Sequence, residues 1–238
     1  MAEALLGEMA DISRVVFPPD ANGAAAALAH AYAQRGTITT LVIPKRPVPQ
    51  ELTPEQAQAL TATGAICLTG DPATATLLLV ATGAYQLQEV RRAQARLAER
   101  NVAAAIVYLG EPGRFRTPRD PQEAQYVHTD TDVQALFPAN RPRVFVTHTR
   151  PEPFLGALRR LDTGTATTTA LGFINRGGTL DVPGLLFANR STWAHVVDAA
   201  AYVLGQSRGS LLSEAELAAV DGRGDPATIL RPATGPVP

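Results

Sequence analysis

The single lysine of the chain, Lys45, stands among 20 arginines. Such a bias accompanies GC-rich coding, in which Lys drifts to Arg wherever either cation serves. The two are not equivalent where a compact ammonium on a flexible stem must meet a phosphate or a substrate oxygen. Lys45 is therefore the cation to single out for chemistry, with chance survival as the alternative. His148 closes the apolar run Val144-Phe145-Val146-Thr147 and so falls at the carboxyl end of a predicted strand, where open α/β sheets place ligands. A lone histidine there is more often a structural hydrogen-bonding residue. Thr82-Gly83-Ala84, between an apolar run and a helical pattern, offers helix N-terminal amides to a phosphate. A βα turn carries such residues for its own geometry, and the structural role is preferred. His30, His128 and His195 fall on a helix face, a loop and a helix, with no partner visible in sequence, and read as structural.

Other chemistries are excluded by what is missing. The 238 residues contain no Walker A loop, no G-x-G-x-x-G, no G-x-S-x-G, no H-E-x-x-H and no zinc-spaced Cys or His. Cys67 is the only cysteine, which rules out a disulfide framework and a cysteine metal site. Twenty-one cations face 22 carboxylates, so no basic field advertises nucleic acid. Early Glu3, Glu8 and Asp11 argue against a signal peptide. No apolar run approaches the roughly 20 residues that cross a bilayer. The expectation is a cytoplasmic protein without nucleic-acid or membrane partners.

The elements that must position these residues alternate between strand and helix. Ser13 to Phe17 is a short strand stopped by Pro18-Pro19; Asp20 or Asn22 caps an Ala-rich helix that ends near Gly36. Thr39 to Ile43 is a buried strand, and Thr53-Pro54-Glu55-Gln56 opens a short helix. Ala65 to Leu68 and Leu77 to Ala81 are continuous apolar runs, as parallel strands covered on both faces require. A helix with Leu87, Val90, Ala93 and Leu97 on one face runs to about Arg100, and Ala103 to Leu109 is the next strand, completing a βαβ unit. Residues 110 to 129 form a loop, and another strand spans Arg143 to His148. Ser191 or Thr192 caps a helix to Leu204, Ser213 and Glu216 have capping-box spacing, and the Gly/Pro-rich tail from Asp221 reads as disordered. Two strands before residue 60 are too few to close a sheet, so that piece completes something else.

The order of several motifs resembles the C-terminal portion of phosphoketolases. Phe17-Pro18-Pro19-Asp20-Ala21-Asn22, then Leu41-Val42-Ile43-Pro44-Lys45-Arg46-Pro47 and Leu52-Thr53, resemble the end of that family's pyrimidine-binding domain. Leu79-Val80-Ala81-Thr82-Gly83 with Gln88-Glu89 resembles the first βα turn of its C-terminal domain. Leu136-Phe137, Arg141-Pro142, Val144-Phe145 and His148, then Gly172-Phe173, Gly177-Gly178-Thr179 and the stretch Asn189 to Asp198, follow collinearly. The chain departs from the family between Asp162 and Leu171 and again at Leu180 to Pro183, where substrate contacts are carried.

The resemblance implies an α/β fold: residues 1–62 as the end of a thiamine pyrimidine-binding domain, 63–207 as a transketolase C-terminal-type domain with a mainly parallel sheet, and 208–238 as a short helix and disordered tail. The elements that hold thiamine diphosphate and Mg²⁺ lie upstream in the family. The expectation is hence the C-terminal subunit of a split phosphoketolase-like enzyme, inactive alone, in a hetro-oligomer whose second chain carries the diphosphate- and pyrimidine-binding domains and binds both cofactors. The implied substrate is a ketose or sugar phosphate cleaved to a two-carbon unit. Lys45, then Asn22, then His148 are the implied substrate- or phosphate-binding residues; no catalytic residue and no metal ligand is assigned. A transketolase-like ketol transferase in a specialised pathway and a non-catalytic scaffold or regulatory remnant are the alternatives.

Overall fold

The computed structural model describes residues 1–174 and 178–230. Helix boundaries follow from local chemistry. Asp20 caps α2 (Ala21–Ala33) by accepting the Gly23 N–H, while Asn22, the other candidate cap, reaches the Leu52 carbonyl. The second Asp20 oxygen accepts from the Glu51 and Leu52 amides and the Gln50 side chain, tying the start of α2 to the approach of α3 (Pro54–Thr63). In α3 the Thr53–Gln56 capping box is closed in both directions, and Gly64 ends the helix at φ 77°, a conformation that favours glycine.

Two sheets result. β1 (Ser13–Val16) and β2 (Ile38–Leu41) pair in parallel, with Ser13 opposite Ile38. The larger sheet contains β3 (Ala65–Thr69), β4 (Leu77–Thr82), β5 (Ala104–Leu109), β6 (Arg143–Thr147) and β7 (Thr168–Leu171) in the order β3-β5-β4-β6-β7. β4, β6 and β7 run parallel, as do β4 and β5. β3 is antiparallel to β5 and occupies an edge, with a register shift at Cys67–Thr69. This corrects the expectation of a parallel strand covered on both faces: β3 is only partly buried beyond Ala65. β7, unforeseen in the Thr-rich segment, extends the other side.

One face of the sheet is covered by α4 (Ala84–Glu99) and α8 (Trp193–Val203), which share a core with Leu79, Ile106 and Val146. The other face carries α5 (Asp130–Leu136) and α6 (Pro151–Ala157), which bury Phe137 and Phe154 against Leu78, Val107 and Phe145. Buried Glu89 of α4 accepts the Trp193 N–H at 2.7 Å and pairs with Arg92, so a carboxylate from the neighbouring helix satisfies the start of α8. Thr192, one of the two predicted caps, occupies the N-cap position but turns its hydroxyl to His195 Nδ1 at 2.8 Å.

Two segments read as loop or tail are held in place. Residues 110–129 contain 3₁₀ turns at Pro112–Phe115 and Glu123–Gln125 and bury Glu111, Phe115 and Glu123. Beyond α10 (Glu214–Val220), whose Ser213–Glu216 capping box is complete, α11 (Ala227–Leu230) inserts Ile229 into the main core. The expected disorder from Asp221 is therefore corrected as far as Leu230, because Ile229 has apolar surface to bury; residues 231–238 lie outside the described residues, as does Gly177 of the Gly-Gly-Thr motif. No helix among the described residues is long and apolar enough to cross a membrane.

Candidate functional site

The chain winds outward from β4: β5 lies on one side and β6 on the other. The carboxyl ends of β4 and β6 therefore form the switch point at which doubly wound sheets leave a crevice. A cavity of about 530 Å³ opens there, lined by Gln86, Thr147, His148, Arg150, Gly172 and Asn189 among others. Gly83 joins β4 to α4 at φ 113°, and a Cβ on it would lie 2.3 Å from Gln86 Oε1 and 3.1 Å from His148 Cβ. Only glycine fits that turn. Gly83→Ala is expected to cost about 1–3 kcal/mol, a melting temperature lower by about 2–12 °C in a chain of this size. Wild-type melting of that variant would show that the turn relaxes freely.

Beneath the turn, fully buried Tyr108 donates to the Phe17 carbonyl at 2.7 Å and accepts the Gly83 N–H at 3.3 Å. Burial raises the Tyr108 pKa far above its ordinary value, so it stays a neutral donor. The Phe17 ring lies 6.3 Å from the His148 ring, which brings the end of β1 against the switch point. Burial pushes the His148 pKa below its usual value, with Glu3 pulling the other way, and the imidazole is neutral near pH 7. Glu3 of α1 (Ala2–Leu6) accepts from the Arg150 amide and guanidinium at 2.7 Å each, neutralising the cation at the cavity mouth. Gln86 is 7% exposed, and its Oε1 has no hydrogen-bond partner among the described residues.

The cavity can hold a small polar group. Among the described residues it presents no nucleophile hydrogen-bonded to a base, and no group of three or more His, Cys, Asp or Glu is placed to hold a metal. Of the predicted binding residues it contains His148 but neither Lys45 nor Asn22. Asn22 lies in the groove between α2 and α3, its amide engaged by Leu52. Lys45 is exposed in the turn after β2. His195 is structural, with burial and Arg190 lowering its pKa to about 4. Gln86, Arg150 and Tyr108 were missed from sequence. Gly83 marked the turn, but nothing in the local pattern says which side chains converge on it.

No protein-family model and no curated protein sequence matches the chain. Among solved structures, it is similar to a transketolase from Pichia stipitis, with a TM-score of 0.62 and 18% identity over 84% of this chain and 27% of that one. Transketolase from Leishmania mexicana gives a TM-score of 0.60 and 19% identity over 81% of this chain and 25% of that one. A split-gene transketolase, described as an inactive β4 tetramer, gives 0.58 and 16% identity over 81% of this chain and 58% of that one. The chain thus spans about a quarter of the full-length transketolases it matches. Its fold, an α/β architecture around a mainly parallel sheet, is that of the C-terminal part of transketolases.

Proposed function

We propose that this chain is the C-terminal component of a split, thiamine-diphosphate-dependent enzyme of the phosphoketolase–transketolase type. It works only when joined to a second chain that carries the diphosphate-binding domain and most of the pyrimidine-binding domain. The observation that carries this is the parallel β1–β2 pair, a two-stranded remnant of a sheet, fixed onto a five-stranded unit of transketolase C-terminal fold. A split-gene transketolase among the structural neighbours is a precedent for dividing such an enzyme between chains. Among the described residues no group of three or more His, Cys, Asp or Glu is placed to hold a metal, and this reading assigns Mg²⁺ and thiamine diphosphate to the partner.

The substrate is a ketose or ketose phosphate that yields a two-carbon unit. Ketol transfer to a second sugar is the alternative to phosphoketolase cleavage. It is favoured by the neighbours being transketolases, one of them solved with sedoheptulose-7-phosphate. Lys45, exposed past the end of β2, is a cation for a substrate or phosphate oxygen at the partner's site; His148 and Asn22 have supporting roles.

The chain used as bait is expected to bring down one protein with the missing thiamine-binding portion. The purified pair then consumes ketose phosphate in the presence of thiamine diphosphate and Mg²⁺. Lys45→Arg lowers turnover about tenfold, the loss of one well-placed charge-assisted hydrogen bond, with assembly unchanged on size exclusion. Micromolar binding of thiamine diphosphate by the isolated chain would overturn the division of labour. Capture of no such protein would leave the scaffold role.

A further inference from the structure

We propose that the outer edge of β2 is the seam at which the partner chain adds a parallel strand, and that this strand is apolar and flanked by acidic side chains. The inference rests on the split-enzyme reading above and says where the two chains join.

The two edges of the β1–β2 pair differ. β1 is wholly buried, and its outer side is closed by the rest of the chain: the Ser13 N–H reaches the Met9 carbonyl at 2.8 Å, the Phe17 N–H reaches the Gly110 carbonyl at 2.7 Å, and Tyr108 donates to the Phe17 carbonyl. In β2 the Ile38 and Val42 amides turn inward to the Ile12 and Val16 carbonyls. Alternation along the strand directs the Thr39 and Leu41 groups outward. Among the described residues no backbone hydrogen bond reaches them. A parallel strand left open on one side is an unfinished template.

The stretch of chain that carries this edge is apolar and basic. Leu28, Tyr32, Ile38 and Ile43 are 45%, 84%, 64% and 57% exposed, which groups large hydrophobic side chains within one stretch of sixteen residues. From Ala21 to Gln50 there are three cations, Arg35, Lys45 and Arg46, and no carboxylate, in a chain whose net charge is −1. A second copy of the chain is a poor occupant. A two-fold axis would run the two β2 strands antiparallel and set these cations against their own copies. An acidic, apolar strand from a different protein answers both the backbone edge and the charge.

The test uses the full-length chain and the protein it captures as bait. In the complex, the Thr39 and Leu41 amides are expected to exchange about a hundredfold more slowly than in the free chain. Thr39→Pro removes an outward N–H and leaves the bonds to β1 in place, so it should weaken capture about tenfold at unchanged melting temperature. Arg35→Glu with Arg46→Glu, which does not depend on Pro being tolerated, should weaken capture most at low salt. If the thiamine-binding partner is captured but the two amides exchange alike, or both variants bind like wild type, the seam lies elsewhere and the split-enzyme reading survives. Self-association of the wild-type chain that Thr39→Pro disperses, with no second protein bound, would make the seam a contact between copies and overturn the proposal. Capture of no thiamine-binding chain would remove both.

Discussion

Glu111→Ala is expected to remove about 3–5 kcal/mol of folding stability, the cost of leaving one member of a buried ion pair alone. Glu111 is 3% exposed and Arg14 5%, and the carboxylate accepts from Arg14 Nε and Nη2 at 2.8 Å each. Tyr126 donates its hydroxyl to the same carboxylate, and the Arg14 guanidinium lies 5.6 Å from the Tyr126 ring centroid. Burial lowers the Arg14 pKa, but the hydrogen bond and charge of Glu111 outweigh it and the net shift is upward. The pair joins β1 to the segment after β5, 97 residues apart in sequence, so its loss loosens the attachment of the first sheet to the second. At about 2–4 °C per kcal/mol, the melting temperature should fall by roughly 6–20 °C. Arg14→Met with Glu111→Leu together should recover most of this, because no charge is then left buried. A Glu111→Ala protein within about 1 kcal/mol of wild type in urea would show that water reaches and solvates Arg14 there.

A second large effect is expected at Glu123, and it depends on pH. Glu123 is fully buried and its carboxylate accepts from the Ala10 and Arg119 amides at 2.8 Å each, and from the Arg119 guanidinium, with Arg116 at 3.6 Å. Burial is the largest single influence and raises its pKa. The hydrogen bonds from Arg119 and Ala10 and the charge of Arg116 together overcome it and bring the pKa to about 2. Because the folded pKa lies below the unfolded value, the stabilisation is complete above about pH 4.5 and is lost as pH falls towards 2. It amounts to something on the order of 3 kcal/mol. The difference in urea stability between wild type and Glu123→Gln should be largest above pH 5 and shrink across that window. A difference that stays constant from pH 6 to 3 would mean that the glutamine loses packing rather than charge.

The parts of the fold that were readable from residue types are those whose physics is local. The Thr53–Gln56 and Ser213–Glu216 boxes, the glycine ending α3 and the apolar runs of β4 and β5 satisfy their backbone groups within a few residues or by period alone. The Asp20 cap was one of two candidates, and its choice depended on Leu52 and Glu51 arriving from thirty residues away to occupy its second oxygen. The direction of β3 was not legible. Ala65 to Leu68 is as apolar as a buried parallel strand, and only its place at the sheet edge, reached directly from α3, makes it antiparallel.

The candidate site divides the same way. The sequence by itself determined the glycine turn after β4, the strand ending at His148 and the unusual lysine past β2, since each is a residue type at a chain position. Tertiary structure alone decided that His148, Gln86 and Arg150 share a cavity, that Lys45 and Asn22 lie outside it, and that one edge of the small sheet is closed while the other is open. The reason is that a strand edge or a buried charge is satisfied by partners about a hundred residues away, as Arg14–Glu111 and Ala10–Glu123 are, and local sequence carries no record of that distance.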